Sequence, residues 1–271
     1  MARKADGEAK QRPLAGVLRY AARIIATGAI LVGALYGYHR VELFLIREPR
    51  FQLPAPEYGL ESPNLEVSGI KYASRMNVLR VFSRDFGRSV YLMPLKQRRD
   101  ELRAVDWIRD AAISRIWPNR ILVRVVERTP VAFVELPSDA GRIARVALID
   151  QDGVIFEQPR HSSFRLPVVS GIRAGDPLSL RRDRIHRMMR LMKDIGPMGD
   201  RVSEVDVSDA ENLKATVRAG DHVVALMLGD HNFAQRLENF MGHYAEIERR
   251  LPAARTLDLR LEDRITAVEG K

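Results

Sequence analysis

The stretch Asp106–Val134, DWIRDAAISRIWPNRILVRVVERTPVAFV, carries the pattern from which the rest of the chain is read. Ile113 to Trp117 and Ile121 to Arg128 are rich in β-branched and aromatic residues and are parted by Pro118 and Asn119, so they predict two strands joined at a turn. Working upstream, Leu65 to Ile70 (LEVSGI) alternates as a short strand. Ser74 is placed to cap a helix whose Val78, Phe82 and Phe86 lie four apart and which Gly87 ends. A mostly polar helix is expected from about Lys96 to Ala104. Residues 64–130 therefore read as one β-α-α-β-β domain.

Downstream the period changes to short strands, at Val131–Leu136, Val146–Asp150, Val154–Glu157, Val202–Val207, Leu213–Val217, Val223–Leu228, Thr256–Leu261 and Ile265–Val268. So many short strands imply a mostly antiparallel sheet over 131–271. Two amphipathic helices interrupt it and should pack on it. One carries Ile185, Met188, Met192 and Ile195; the other, with Asp230 as its expected cap, carries Phe233, Leu237, Phe240, Tyr244, Ile247 and Leu251. The fold class is α+β, preceded by a single transmembrane helix.

That helix is read from charge and hydropathy. The chain of 271 residues has a net charge of +9, and residues 1–23 hold Arg3, Lys4, Lys10, Arg12, Arg19 and Arg23 against Asp6 and Glu8. An uncharged run, Ile24 to Tyr38, follows. Tyr20 to Arg40 would extend about 32 Å as a helix, enough for a hydrocarbon core of roughly 30 Å. The bulky, charged YHRVELFLIREPRF after it offers no small-x-small cleavage site, which argues for an anchor rather than a signal peptide. The expected layout is a basic cytoplasmic tail at 1–19, a span at 20–40 and a Pro-rich extracytoplasmic linker at 41–63, with the body outside by the positive-inside bias. Nucleic-acid binding by that body is disfavoured by its expected placement and because the charge is densest in the tail, +4 over 23 residues against +5 over the other 248.

Signatures of chemistry are missing. With no cysteine there is no disulfide framework, thiolate metal site or cysteine nucleophile. The six histidines make no HExxH spacing, and no GxSxG, GxGxxG or P-loop motif is present. Asp150, Asp152 and Gly153 resemble the start of a calcium loop, but its twelfth place holds His161, so a hairpin turn is the better reading. Arg181, Arg182, Arg184, Arg187 and Arg190 spread around the polar side of their helix and read as a solvated face. No catalytic residue, cofactor, metal or small-molecule substrate is expected.

The block Trp107-Ile108, Trp117-Pro118, the alternating Ile121–Val126, and Glu127, Arg128, Pro130, Val131, Ala132 resembles the FtsQ/DivIB cell division family. LEVSGI, LIDQDGVIF, LPVVSG (Leu166–Gly171) and LDLRL (Leu257–Leu261) match further family elements in order. The resemblance implies a bitopic inner-membrane protein of type II topology at the septum, with a POTRA domain at 64–130 and a β domain at 131–271. It implies a non-enzymatic scaffold that binds FtsB- and FtsL-like proteins, meets other division components through the POTRA domain, and regulates septal peptidoglycan synthesis. In the family the partner contacts concentrate on the final strands. Carried onto this chain, they fall on Arg260, Leu261, Arg264, Ile265, Thr266, Ala267 and Val268. Arg260 keeps a cation suited to an acidic partner, whereas Leu261 stands where the family has an aromatic residue.

If Ile265–Val268 is an edge strand, an extended partner can add to the sheet by main-chain hydrogen bonds. Thr266→Pro should then abolish capture by deleting a donor. Two rival functions would each need a further feature. A POTRA-bearing outer-membrane assembly component needs a run of barrel strands that cannot be read after residue 130. An anchored cell-wall hydrolase needs paired carboxylates or a metal in a polar pocket.

Overall fold

In the computed structural model, which describes residues 14–136, 145–159, 162–252, 254–261 and 264–268, the apolar run forms one long helix, α1 (Leu14–Arg47). From Leu18 to Arg47 it is long and apolar enough to cross a membrane, and none of it is buried within the protein. The helix passes Arg40 without a break, so Val41–Ile46, expected in an extended linker, is helical. The rest of that linker is not a free spacer either. Leu53 is fully buried, its N–H donating to the Arg88 carbonyl at 2.9 Å and its carbonyl accepting from Gly87 N–H at 2.8 Å. Ser62 Oγ donates to the Pro54 carbonyl.

Two units follow from the chain's own contacts. The first holds α1, β1 (Leu65–Ser68), α2 (Arg75–Val81), α3 (Leu95–Arg103) and most of β2 (Ile108–Ile116) and β3 (Arg120–Glu127). These strands form a sheet in the order β1-β3-β2, with β1 parallel to β3 and Leu65 opposite Ile121. The β-α-α-β-β order is the expected one. α2 is shorter than its four-residue periodicity predicts, because after Val81 the chain turns, with Phe82 N–H bonded to the Leu79 carbonyl. Phe82 is still fully buried. Arg98 on α3 pairs with Asp85 through Nε at 2.6 Å and Nη2 at 3.0 Å, both side chains being almost fully enclosed. The paired carboxylate holds the guanidinium's pKa above its usual value.

The second unit runs from Val126 onward and includes the short segments 69–74 and 103–110. Among the described residues its sheet has nine strands: β4 (Pro130–Leu136), β5 (Arg145–Asp150), β6 (Ile155–Phe156), β7 (Val168–Ser170), β8 (Val202–Asp206), β9 (Leu213–Ala219), β10 (His222–Gly229), β11 (Thr256–Asp258) and β12 (Thr266–Ala267), in the order β12-β11-β10-β9-β8-β7-β4-β5-β6. Antiparallel pairs predominate as expected, but β4 with β7, β7 with β8, and β10 with β11 are parallel. The helices α4 (Leu178–Ile195) and α5 (Phe233–Arg250) bury Ile185, Met188, Leu191, Phe233, Leu237 and Phe240 in the core with Val134, Val205, Val217 and Leu226. Each such side chain contributes roughly 1.5–3 kcal/mol. Asp230 does not cap α5; the cap position is Asn232, in a left-handed conformation with φ 53°.

The Glu-Arg pair of the central block proves to be structural. Glu127 Oε1 accepts from three successive backbone N–H groups, Lys71, Tyr72 and Ala73, each at 2.8 Å. Arg128 Nη1 donates to Asp150 Oδ2 at 2.7 Å. The other oxygen of Asp150 accepts from the N–H groups of Asp152 and Val154, which makes 150–154 a turn whose Gly153 has φ 77°. His161, which excluded a calcium loop, lies outside the described residues. Trp107, buried with φ 72°, donates from Nε1 to the Glu157 carbonyl and stacks among Tyr72, Phe156 and Phe164. On α4, Arg184 is not simply solvated but pairs with Asp176 at 2.7 Å.

Candidate functional site

The seven residues singled out above lie at one border of the nine-stranded sheet, where β12 is the terminal strand and pairs with β11 alone among the described strands. The pleat decides which main-chain groups face outward. In an antiparallel pair, alternate residues turn both N–H and C=O toward the neighbour and the residues between turn both away. Thr266 lies opposite Asp258 and Ala267 opposite Leu257, and Val268 N–H donates to the Thr256 carbonyl at 2.9 Å. β11 is in the matching phase, since Leu259 N–H donates to the Met227 carbonyl on its other side and Ala225 N–H to the Arg255 carbonyl. Thr256 and Asp258 thus face β12, and Thr266 and Val268 face back. Ala267, with Ile265 in the same phase, points its N–H and C=O away from the sheet. The outward donor is that of Ala267, not of Thr266, which corrects the expectation attached to Thr266→Pro.

Side chains alternate with the same period. Thr266 and Ala267 are exposed, Val268 is 39% exposed, and Ile265 packs partly against the core. Between α5 and residues 259–261 and 264–265 runs a groove of about 630 Å3. Leu259, Leu261, Arg264 and Ile265 line one wall, and Gln235, Asn239, His243 and Glu246 line the other. Leu261 is half exposed on the rim.

Strand β11 stops at Asp258, three residues before its expected end. Arg260 folds back on Asp258, its backbone N–H and its Nε donating to Oδ1 at 3.0 and 2.9 Å and Nη2 donating to Oδ2 at 2.6 Å. These bonds hold the Asp258 carboxyl below the usual carboxylate range and push the Arg260 guanidinium above its usual value. The cation expected to meet an acidic partner is already partnered within its own strand end. Arg236, on α5, is a residue that periodicity did not single out. It is 8% exposed, and it donates through Nη1 to the carbonyls of Leu228 and His231 and through Nη2 to that of Arg260. Gly229 has φ 72°, so the backbone favours glycine there, and a Cβ would stand 2.7 Å from Arg236 Nη1. Among the described residues no group of three His, Asp or Glu side chains is placed to hold a metal.

A helix of membrane-spanning length, a β-α-α-β-β unit and a mixed sheet define an α+β protein. Two family profiles match this chain: the POTRA domain of FtsQ type over residues 63–128, and the C-terminal domain of cell division protein FtsQ/DivIB over 141–260. The chain belongs to the FtsQ/DivIB family. It is 35% identical over 210 residues to the cell division protein FtsQ of Koribacter versatilis, covering 75% of this chain and 59% of that protein. It is 30% identical over 190 residues to FtsQ of Novosphingobium aromaticivorans, covering 69% and 54%. With FtsQ of Geotalea daltonii it shares 22% identity over 264 residues, covering 92% and 87%. The matched stretch thus spans little more than half the length of the first two relatives.

Proposed function

We propose that this chain is a non-enzymatic scaffold of the cell division apparatus. It is anchored by α1 in the inner membrane at the septum, with both units on the periplasmic side, and it captures an extended segment of an FtsB- or FtsL-like partner along β12. The observation that carries this reading is the border position of β12, with Ala267 turning its main-chain groups outward. A segment laid there adds a tenth strand. Ile265 and Ala267 offer up to four outward groups, and at about 0.5–1.5 kcal/mol per main-chain bond these supply several kcal/mol. The groove beside α5 takes the side chains that give selectivity, with Leu261 and Ile265 offering apolar contact and Arg264 and Glu246 offering charge of both signs. Other division components meet the POTRA unit, and the assembly regulates septal peptidoglycan synthesis.

Hydrogen exchange on the full chain in lipid nanodiscs, with and without a peptide from an FtsB-like protein, tests the reading. Protection should rise at the Ala267 amide and along 264–268. Protection confined to other elements would remove β12 as the docking border.

A further inference from the structure

Large apolar side chains exposed one at a time need no explanation, but a group continuous with a membrane-spanning helix does. Three segments of the first unit converge at the outer end of α1. Phe44, in the last turns of the helix, meets Phe51 edge to face at 5.7 Å, and Phe51 meets Trp117, at the tip of the β2–β3 hairpin, at 5.6 Å. Ser89 Oγ donates to the Leu45 carbonyl at 2.7 Å, tying the turn at 89–93 to the helix. Arg115 Nε donates to the Val90 carbonyl at 2.6 Å, tying the same turn to the end of β2. On these segments Phe44 is 48% exposed, Leu92 51%, Ile116 40% and Trp117 51%.

The depth of this group follows from helix geometry. At 1.5 Å per residue, Phe44 lies about 6 Å beyond Arg40, the first strongly polar residue after the apolar run. The headgroup region adds roughly 5–8 Å on each side of the hydrocarbon core, so Phe44 falls within it. Two successive ring contacts, at 5.7 and 5.6 Å, keep Trp117 within about 11 Å of Phe44. Tryptophan is the side chain best suited to that layer, being apolar in body with one N–H donor.

We propose that Ile116 and Trp117, with Phe44 and Leu92, lie in the headgroup layer of the bilayer that α1 crosses, so that the POTRA unit rests on lipid through its hairpin tip. The occupant of this surface is lipid, because the surface is continuous with the helix that enters it. The inference rests on α1 spanning the membrane.

The test uses the full chain reconstituted in vesicles of phosphatidylethanolamine and phosphatidylglycerol, doped with phosphatidylcholine spin-labelled at the headgroup. The labelled lipid should quench the wild-type tryptophan emission, and Trp117→Phe should lose that quenching, leaving the emission of Trp107, which is 4% exposed. Because the chain has no cysteine, Leu92→Cys carries a single fluorophore as a second reporter, and the same lipid should quench it. Equal quenching of wild type and Trp117→Phe, or an unquenched Leu92 reporter, overturns the proposal while leaving the anchor intact. So does a Trp117 that stays open to aqueous iodide until another protein is added. A chain that fails to float with the vesicles after carbonate washing overturns the anchor and this proposal together.

Discussion

Arg236 and Arg260 are joined through the main chain: the buried guanidinium of the first donates from Nη2 to the carbonyl of the second at 3.0 Å. Through its other nitrogen Arg236 also holds the carbonyls of Leu228 and His231. One side chain of α5 thereby fixes the end of β10, the start of its own helix and the turn that leads to β12. Replacing it leaves three acceptors to find new donors. Arg236→Met should cost about 2–4 kcal/mol of stability. Urea unfolding of the detergent-solubilised chain measures that loss, and hydrogen exchange should show residues 257–268 opening before the rest of the sheet. An unchanged exchange pattern would mean that the turn is held by Asp258 alone.

Glu127 makes a different kind of clamp. One carboxylate oxygen takes three successive N–H groups, and of their residues Ala73 is buried and Tyr72 half-buried. Glu127→Ala should destabilise by about 1–3 kcal/mol, since water replaces the acceptor readily only at exposed Lys71. Glu127→Gln keeps an oxygen but loses the charge assistance, so it should cost less than Ala. A Gln variant as stable as wild type would show that the charge contributes nothing there, and equal costs for Gln and Ala would show that the uncharged oxygen contributes nothing.

Acid should act on the β11 terminus through Asp258. Arg260 holds the folded-state pKa of Asp258 below its unfolded value of ~3.9, so the carboxylate's contribution is fully present above that value and is lost as pH falls through the depressed one. Stability should therefore decline below about pH 4 with a component that Asp258→Asn removes, because the amide no longer titrates. Unfolding curves of both proteins between neutral and acid pH measure the difference. Parallel pH profiles would show that Asp258 titrates normally in the folded chain.

The fold class was legible because it rests on periodicity, which is local: alternating four- and three-residue spacing marks α5, and alternation marks β9 and β10. Parallel pairing was not, since β7 is only Val168–Ser170, directly after Pro167, and its partners lie far along the chain. A strand three residues long shows no alternation to count. Arg236 was passed over for a related reason. It stands between Phe233 and Leu237 on the buried side of α5, where a charged residue reads as a member of the polar face until backbone carbonyls are seen to surround it. At the candidate border, the stretch that reaches it was readable, but its phase was not. Whether Thr266 or Ala267 faces outward depends on the register with β11, and a shift of one residue exchanges them.

That phase yields the sharpest prediction. Ala267→Pro removes the outward N–H and spares the bonds by which Thr266 and Val268 hold β11, and φ near −65° is tolerated at an edge. The variant should keep wild-type unfolding and lose capture of an FtsB-like peptide by about tenfold, the loss of roughly one charge-free main-chain bond. Thr266→Pro removes an inward donor instead. It should loosen β12 from β11, visible as faster exchange at Val268, and weaken capture only through that disorder. Measuring binding and exchange on both variants in nanodiscs separates the two effects. If Thr266→Pro abolishes capture with β12 still protected while Ala267→Pro binds normally, the partner does not add as a strand on this border.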